Sequence, residues 1–403
     1  MLTQFQNAFS DNALKNLVIQ SAIVKMTEAQ QSAQVSLGGA LFSAPFIVLS
    51  MFGGWMADRF SKQRVMSSVK LAEIGIMLYA AAALGTGRLP LQMAAIFMMG
   101  CHSAIFAPSK YSILPEILPE DKLSWGNGLL ELLTFIGIIL GTVAGSFLAE
   151  YIHGPVYLSG FILAVLAFGG WRLSLHIPHK PAADPACPMR VNPVRDLWTQ
   201  MRMMGKNRDL WRANWGNTGF WFVAALVGMN LLIYAQDVLH LTQFQNGLLN
   251  ATLSIGIGLG SAAAGFASRG KIQYGLVPVG AAGIALASIP MGFNSIGTLW
   301  FSVSLAALGF MAGLFIVPIA AALQHLPTPE TKGAVQGASG LMSWIGILAA
   351  SGVQWTMTNF LGMGPGRVFW FCGAAALLTG IYAVATRKEA LRQLVESFAK
   401  HGH

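Results

Sequence analysis

The chain has 403 residues, 54% of them hydrophobic and only 10% charged, with a net charge of +9 and a mean hydropathy of +0.57. That composition excludes an ordinary soluble domain, because apolar runs of about 20 residues recur along it and each can cross a hydrocarbon core as a helix. The positive charge calls for no nucleic acid, since a basic polytopic membrane protein collects Lys and Arg in the loops on one side of the bilayer.

Twelve spans are predicted, at about 3–25, 34–56, 66–86, 90–114, 124–149, 155–175, 212–236, 244–267, 273–293, 297–323, 333–359 and 366–386. The expected fold is an all-α integral membrane protein of twelve transmembrane helices in two six-helix bundles. Residues 1–176 form the N-terminal bundle, 177–210 a cytoplasmic linker, 211–386 the C-terminal bundle and 387–403 a cytoplasmic tail. Most of the 25 Lys and Arg fall in one set of loops and the tail, leaving Lys25, Arg88 and Arg367 opposite, so both termini are expected in the cytoplasm. The first apolar segment lacks the basic start and A-x-A site of a signal peptide and carries Asp11 and Lys15, so it reads as a working helix. Cys101, Cys187 and Cys372 are widely spaced, form no metal pattern and read as free thiols.

Six ionisable side chains interrupt the apolar stretches, all in the first third: Asp11, Lys15, Lys70, Glu73, Lys110 and Glu131. Charge at bilayer depth is costly and marks function by default, although three lysines against three acids could also simply neutralise one another. In span 1, Gln4, Asn7, Asp11 and Lys15 recur every three or four residues and form one polar stripe, which cannot face lipid. The next connection reads Gly54-Trp55-Met56-Ala57-Asp58-Arg59-Phe60-Ser61-Lys62-Gln63-Arg64. It is expected to act as a conformational gate, with Asp58 accepting from a helix end while Arg59, Lys62 and Arg64 anchor at anionic headgroups.

Lys70 and Glu73 lie one turn apart in span 3. Pro108 and Pro115 flank Lys110 and Tyr111 and are expected to break or kink span 4 there. In span 5, Asn127, Glu131 and Thr134 share a face, and Gly137, Gly141 and Gly145 permit a close helix approach, as do Gly256, Gly260 and Ala264 in span 8. The linker is the longest polar stretch and is expected to be partly helical along the membrane surface.

Spans 10 and 11 repeat spans 4 and 5. Phe106-Ala107-Pro108 followed by Asp121-Lys122 is echoed by Phe315-Ile316-Val317-Pro318 followed by Glu330-Thr331-Lys332. Ala320 and Gly340 stand at the places of Lys110 and Glu131, and Gly265-Phe266-Ala267-Ser268-Arg269-Gly270-Lys271 is a shadow of the gate loop without its acid. The second half offers Asn217, Asn230 and Gln336 but no intramembrane charge. A polar wall facing an apolar one suits an amphiphile with a charged head and an acyl tail.

The duplicated six-helix pattern and the loop at 54–64 resemble the major facilitator superfamily. More narrowly, the opening Gln4-Phe5-Gln6-Asn7-Ala8-Phe9-Ser10-Asp11-Asn12-Ala13-Leu14-Lys15, Lys62-Gln63-Arg64 with Lys70, Pro108-Ser109-Lys110-Tyr111 and Gly126-Asn127-Gly128-Leu129-Leu130-Glu131 resemble the bacterial lysophospholipid transporter family. That resemblance implies a flippase of the bacterial inner membrane. It would carry lysophospholipids such as lysophosphatidylethanolamine from the outer to the inner leaflet by alternating access, for reacylation by an acyltransferase and acyl-acyl carrier protein synthetase partner.

It also places Asp11, Lys110 and Glu131 around the headgroup. With Asn12, Lys15, Lys70, Glu73, Tyr111, Asn127 and Asn230 they make the expected substrate site. Family members can carry an arginine in span 7, where this chain reads Leu226-Val227-Gly228-Met229-Asn230-Leu231-Leu232, and Lys15 is its expected replacement. No cofactor or metal is expected, the partners are membrane lipids and the lysolipid, and twelve spans suffice for a monomer.

Three rival readings compete. A proton-coupled exporter of hydrophobic compounds would fit Gly137 to Gly145, although Thr142 stands where that motif has proline. His179 and Asp184 give an acyltransferase-like H-x-x-x-x-D spacing, but they flank Pro181 in a linker and read as a chance match. A scaffold for an acyltransferase could use the basic linker and Arg387-Lys388-Glu389-Ala390-Leu391-Arg392, which fit an anionic membrane surface as readily.

Overall fold

The computed structural model describes residues 1–23, 28–151, 155–189, 192–268, 270–293 and 295–385. Lys25, Arg269 and the tail lie outside the described residues, so the expectations placed on them are not addressed.

Thirteen α-helices form among the described residues: α1 Leu2–Ile23, α2 Glu28–Arg59, α3 Lys62–Thr86, α4 Leu89–Ile117, α5 Leu123–Tyr151, α6 Tyr157–Ser174, α7 Pro193–Met204, α8 Arg208–Asp237, α9 Gln243–Ala267, α10 Leu276–Met291, α11 Thr298–His325, α12 Lys332–Trp355 and α13 Pro365–Ala383. Ten of the spans are long and apolar enough to cross a membrane by themselves. The other two spanning positions are α1, diluted by its polar stripe, and α10, whose 16 residues reach only about 24 Å. With α7 set apart in the linker, twelve helices stand at the expected spanning positions. α7 turns Val194 and Trp198 outward beside Arg195 and Arg202, the pattern of a helix lying along an interface.

The internal repeat is visible in three dimensions. α4 and α11 each contain a proline, Pro108 and Pro318, and each is followed by a single 3-10 turn, Glu120–Lys122 and Pro329–Thr331. The expected break at Pro108 and Pro115 does not occur, because α4 runs unbroken through both. Ser112 Oγ donates to the Pro108 carbonyl at 2.6 Å, and the Ala104 carbonyl, deprived of its usual donor by the Pro108 ring, faces Gly53 of α2.

The chain divides into two compact units, and the first turns of α5 and α12 are exchanged between them in sequence: one unit holds Met1–Ile117, Leu133–Gln200 and Thr328–Leu341, the other Leu118–Leu132, Met201–Pro327 and Met342–His403. In the first unit, Leu14, Leu17 and Val18 of α1 pack with Met77 and Ala80 of α3, Ile96 and Met99 of α4, and Leu163 and Ala167 of α6. Gly137, Gly141 and Gly145 of α5 lie directly against the Phe5, Phe9 and Ala13 carbonyls of α1. In the second unit, Tyr234 stacks on Phe301 at 4.5 Å between ring centres and meets Phe369 edge-on.

Within that second unit, Gly256 and Gly260 of α9 meet the Ala306 and Phe310 carbonyls of α11, while Gly309 and Gly313 of α11 answer against Leu253 and Ile257. A Cβ at Gly260 would overlap the Phe310 carbonyl, so Gly260→Val is expected to cost at least about 3 kcal/mol, the upper part of the overpacking range. Loss of the detergent-extracted monodisperse peak in size-exclusion chromatography would register it, and an unchanged peak and melting temperature would contradict it.

Candidate functional site

A closed ring of polar side chains joins α1, α3 and α4. Lys70 Nζ lies 2.5 Å from Glu73 Oε2 and donates to Asn7 Oδ1 at 3.0 Å. Asn7 Nδ2 donates to Asp11 Oδ2 at 3.1 Å. Ser103 Oγ donates to Asp11, 2.7 Å from Oδ1 and 2.8 Å from Oδ2. His102 returns the circuit, with Nδ1 3.4 Å from Ser103 Oγ and Nε2 3.3 Å from Glu73 Oε2. Gln6 Nε2 donates to Glu73 Oε1 at 3.0 Å and to Ser10 Oγ at 2.8 Å, and Phe106 stacks on His102 with ring centres 6.1 Å apart. Helical spacing explains the ring: Gln6 and Ser10, Asn7 and Asp11, and Lys70 and Glu73 are each one turn apart, so every pair shares a face.

The expected site residues divide by accessibility. Lys70 and Glu73 are 0% exposed, and each charge is matched by the other and by neutral donors and acceptors, so both sit inside the helix packing. Asn127 is also sealed, exchanging two amide hydrogen bonds with Gln324 at 2.9 and 2.8 Å. Asn230 is sealed too, donating to the Pro365 carbonyl at 2.8 Å beside Gln354. Asn12 turns back on its own helix and donates to the Ala8 carbonyl at 2.8 Å.

Asp11 and Lys15 stay half-buried on α1, the ammonium of Lys15 lying 5.6 Å from the Phe42 ring centre. Lys110 lies 4.0 Å from the ring centre of Tyr111; Lys110 and Glu131 are each 8% exposed. The ring is thus braced from behind by Lys70 and Glu73 and reaches a partly open face at Asp11. In the second unit Asn217 donates to Ser343 Oγ at 2.8 Å, a pairing of two neutral side chains.

The loop at 54–64 holds a second polar constellation. Asp58, fully buried at the end of α2, accepts from the backbone N–H groups of Gly333 at 2.6 Å and Ala334 at 2.8 Å, capping the start of α12. A side chain at Gly333 would run into Asp58 and the Gly54 carbonyl, which accounts for glycine there. One expectation for this loop needs correction: Lys62 does not anchor at headgroups, being 1% exposed and 2.5 Å from Glu116, while the half-buried Arg59 donates to the Cys187 carbonyl at 2.9 Å.

Arg64 alone of the three is exposed. The Cys187 carbonyl also accepts from Trp55 Nε1 at 3.1 Å, Asp184 N–H donates to the Asp58 carbonyl at 3.0 Å, and His179 Nδ1 lies 3.2 Å from Ser61 Oγ. The linker is therefore strapped across the loop at 54–64, and His179 and Asp184 make local contacts with that loop rather than meeting each other.

Sequence reasoning passed over His102, Ser103, Gln6 and Ser10. A signal existed: His102 is a titratable side chain inside an apolar helix, as the six selected ones were. Among the described residues, no group of three His, Cys, Asp or Glu could hold a metal ion.

The family model of the Major Facilitator Superfamily matches residues 1–351. The lysophospholipid transporter LplT of Klebsiella pneumoniae (strain 342) is 32% identical over 328 residues, covering 80% of this chain and 78% of that protein. Its counterpart in Cronobacter sakazakii is 30% identical over 336 residues, covering 81% and 79%. Among solved structures, the human organic anion transporter MFSD10 (TETRAN) superposes with a TM-score of 0.79 at 13% identity over 95% of this chain and 98% of that one. The transporter FucP in its outward conformation superposes with a TM-score of 0.72 at 13% identity over 95% and 98%. At such identities these structures speak for the fold alone.

Proposed function

The chain belongs to the lysophospholipid transporter family of the Major Facilitator Superfamily, and from that premise we propose that it flips lysophospholipids from the outer to the inner leaflet of the bacterial inner membrane by alternating access. The observation that carries this reading is the pairing of an anion and cations, Asp11 with Lys15 on α1 and Lys110 on α4, held half-buried or buried in helices otherwise made for lipid. A zwitterionic phosphoethanolamine head needs both signs: the phosphate is met by Lys15 and Lys110, and the ammonium by Asp11 or Glu131. Asp58 and the linker strap form the gate whose contacts break and reform in each cycle.

Both termini face the cytoplasm, the protein works as a monomer, and the lysolipid it delivers is reacylated by an acyltransferase and acyl-acyl carrier protein synthetase. A paired acid and base in one site carry no net charge, which supports transport without proton coupling.

The test is uptake of labelled lysophosphatidylethanolamine by cells lacking their own lysolipid transporter. Asp11→Ala and Lys110→Ala are each expected to lower uptake at least about tenfold, the loss of one charge-assisted hydrogen bond, while a proton uncoupler leaves the parent rate unchanged. No uptake by the parent, together with uncoupler-sensitive efflux of hydrophobic cations, would replace this reading with the exporter. Uptake untouched by both substitutions would make the two charges structural.

A further inference from the structure

His102 is a buried titratable group that the transport reading does not use. Its surroundings fix the direction of every hydrogen bond around it. The ammonium of Lys70 can only donate, so Asn7 presents Oδ1 to Lys70 and Nδ2 to Asp11. Ser103 has one proton and lies 2.7 and 2.8 Å from the two carboxylate oxygens of Asp11 against 3.4 Å from His102 Nδ1. The proton therefore goes to Asp11, and His102 meets a hydroxyl lone pair. On its other side Nε2 meets the Glu73 carboxylate at 3.3 Å.

With the Ser103 proton on Asp11, Nδ1 is the ring nitrogen that donates to the Ser103 hydroxyl oxygen, and the ring is held flat against Phe106. The charged groups facing His102 are Glu73 and Lys70 from α3 and Asp11 from α1. The membrane part of α2, 34–57, has no ionisable side chain.

We propose that His102 is a positioning residue: through Ser103 it holds Asp11 as an oriented anionic acceptor, and so it sets a preference for lysolipids whose head carries an ammonium group. The inference rests on the lysolipid reading above. Glu73 orients the imidazole, the imidazole leaves Ser103 only one partner for its proton, and the half-buried Asp11 carboxylate is held in one orientation by Ser103 and Asn7. A head lacking the ammonium gains nothing from this arrangement.

The experiment compares two unlabelled lysolipids, ethanolamine-headed and glycerol-headed, by the concentration of each that halves uptake of labelled lysophosphatidylethanolamine in spheroplasts. The readout is the ratio of the two concentrations, normalised to protein inserted in the membrane. His102→Gln and Ser103→Ala are expected to shift that ratio about tenfold toward the glycerol head, and Ser103→Thr, which keeps the hydroxyl, to hold the parent ratio. A ratio unchanged in Ser103→Ala, or an equal rise in both concentrations, would overturn the inference while the transport reading stands. If His102→Gln does not insert, the Ser103 pair decides alone. Absence of uptake by the parent is the separate failure of the transport reading.

Discussion

Asp58→Asn is expected to cut lysolipid uptake tenfold or more while the protein still inserts at the parent level. The carboxylate takes two backbone N–H groups at the start of α12, from Gly333 and Ala334. An asparagine offers one oxygen and turns an NH2 group toward the second N–H. The loss combines one charge-assisted hydrogen bond with the attraction of an anion to a helix N-terminus, together about 3 kcal/mol, or roughly a hundredfold in the closed-to-open ratio of the latch. An alternating cycle needs both states populated, so displacing the balance this far slows turnover even though the substrate site is intact.

The buried Cys187 reports the latch directly, because its carbonyl is held by Trp55 and Arg59 next to Asp58. In a Cys101→Ser, Cys372→Ser background, maleimide labelling of Cys187 is expected to quicken at least about tenfold in Asp58→Asn, a bound set well inside the loss above. Equal labelling and equal uptake in parent and variant would leave Asp58 with no role beyond topology.

Lys70→Ala carries the second large effect, on stability. It leaves Glu73 as a buried carboxylate without its ammonium partner, a situation that costs about 3–5 kcal/mol. For a chain of this size that is a fall in melting temperature of about 5–10 °C, read by the thermal loss of the monodisperse peak after detergent extraction. The double replacement Lys70→Met, Glu73→Met removes both charges at similar volume and is expected to recover most of the loss. Recovered stability with uptake still below about one hundredth of the parent, more than one lost hydrogen bond explains, would return the pair to direct contact with the substrate.

The spans, the repeat and the need to shelter Asp11, Lys70 and Glu73 were legible because each rests on a period that a helix imposes: about 20 apolar residues to cross, and three or four between neighbours on a face. The glycine triplet at 137, 141 and 145 was legible as packing for the same reason. What a helix does not encode is its partner across space. Nothing local to Asn127 announces Gln324, nearly two hundred residues away, and nothing local to Lys62 announces Glu116, so side chains expected at a ligand or a headgroup proved to be committed elsewhere. His102 escaped notice because it counts as neutral in a charge tally, whereas its role depends on which acceptors surround it.

The seam between α1 and α5 has a consequence for how α1 is set in depth. Glycines every four residues meet carbonyls every four residues, so a slide of one turn, about 5.4 Å, would bring Gly141 and Gly145 against carbonyls once more and sacrifice one contact of three. Such a seam fixes nearness and leaves register degenerate. The bonds of Gln4 to Thr134, Gln6 to Glu73, Asn7 to Lys70 and Asp11 to Ser103 exist at one setting alone, and they act as the teeth of a key. The polar groups of α1 thereby earn a second use as the index marks that tell a smooth, repetitive helix where to stop.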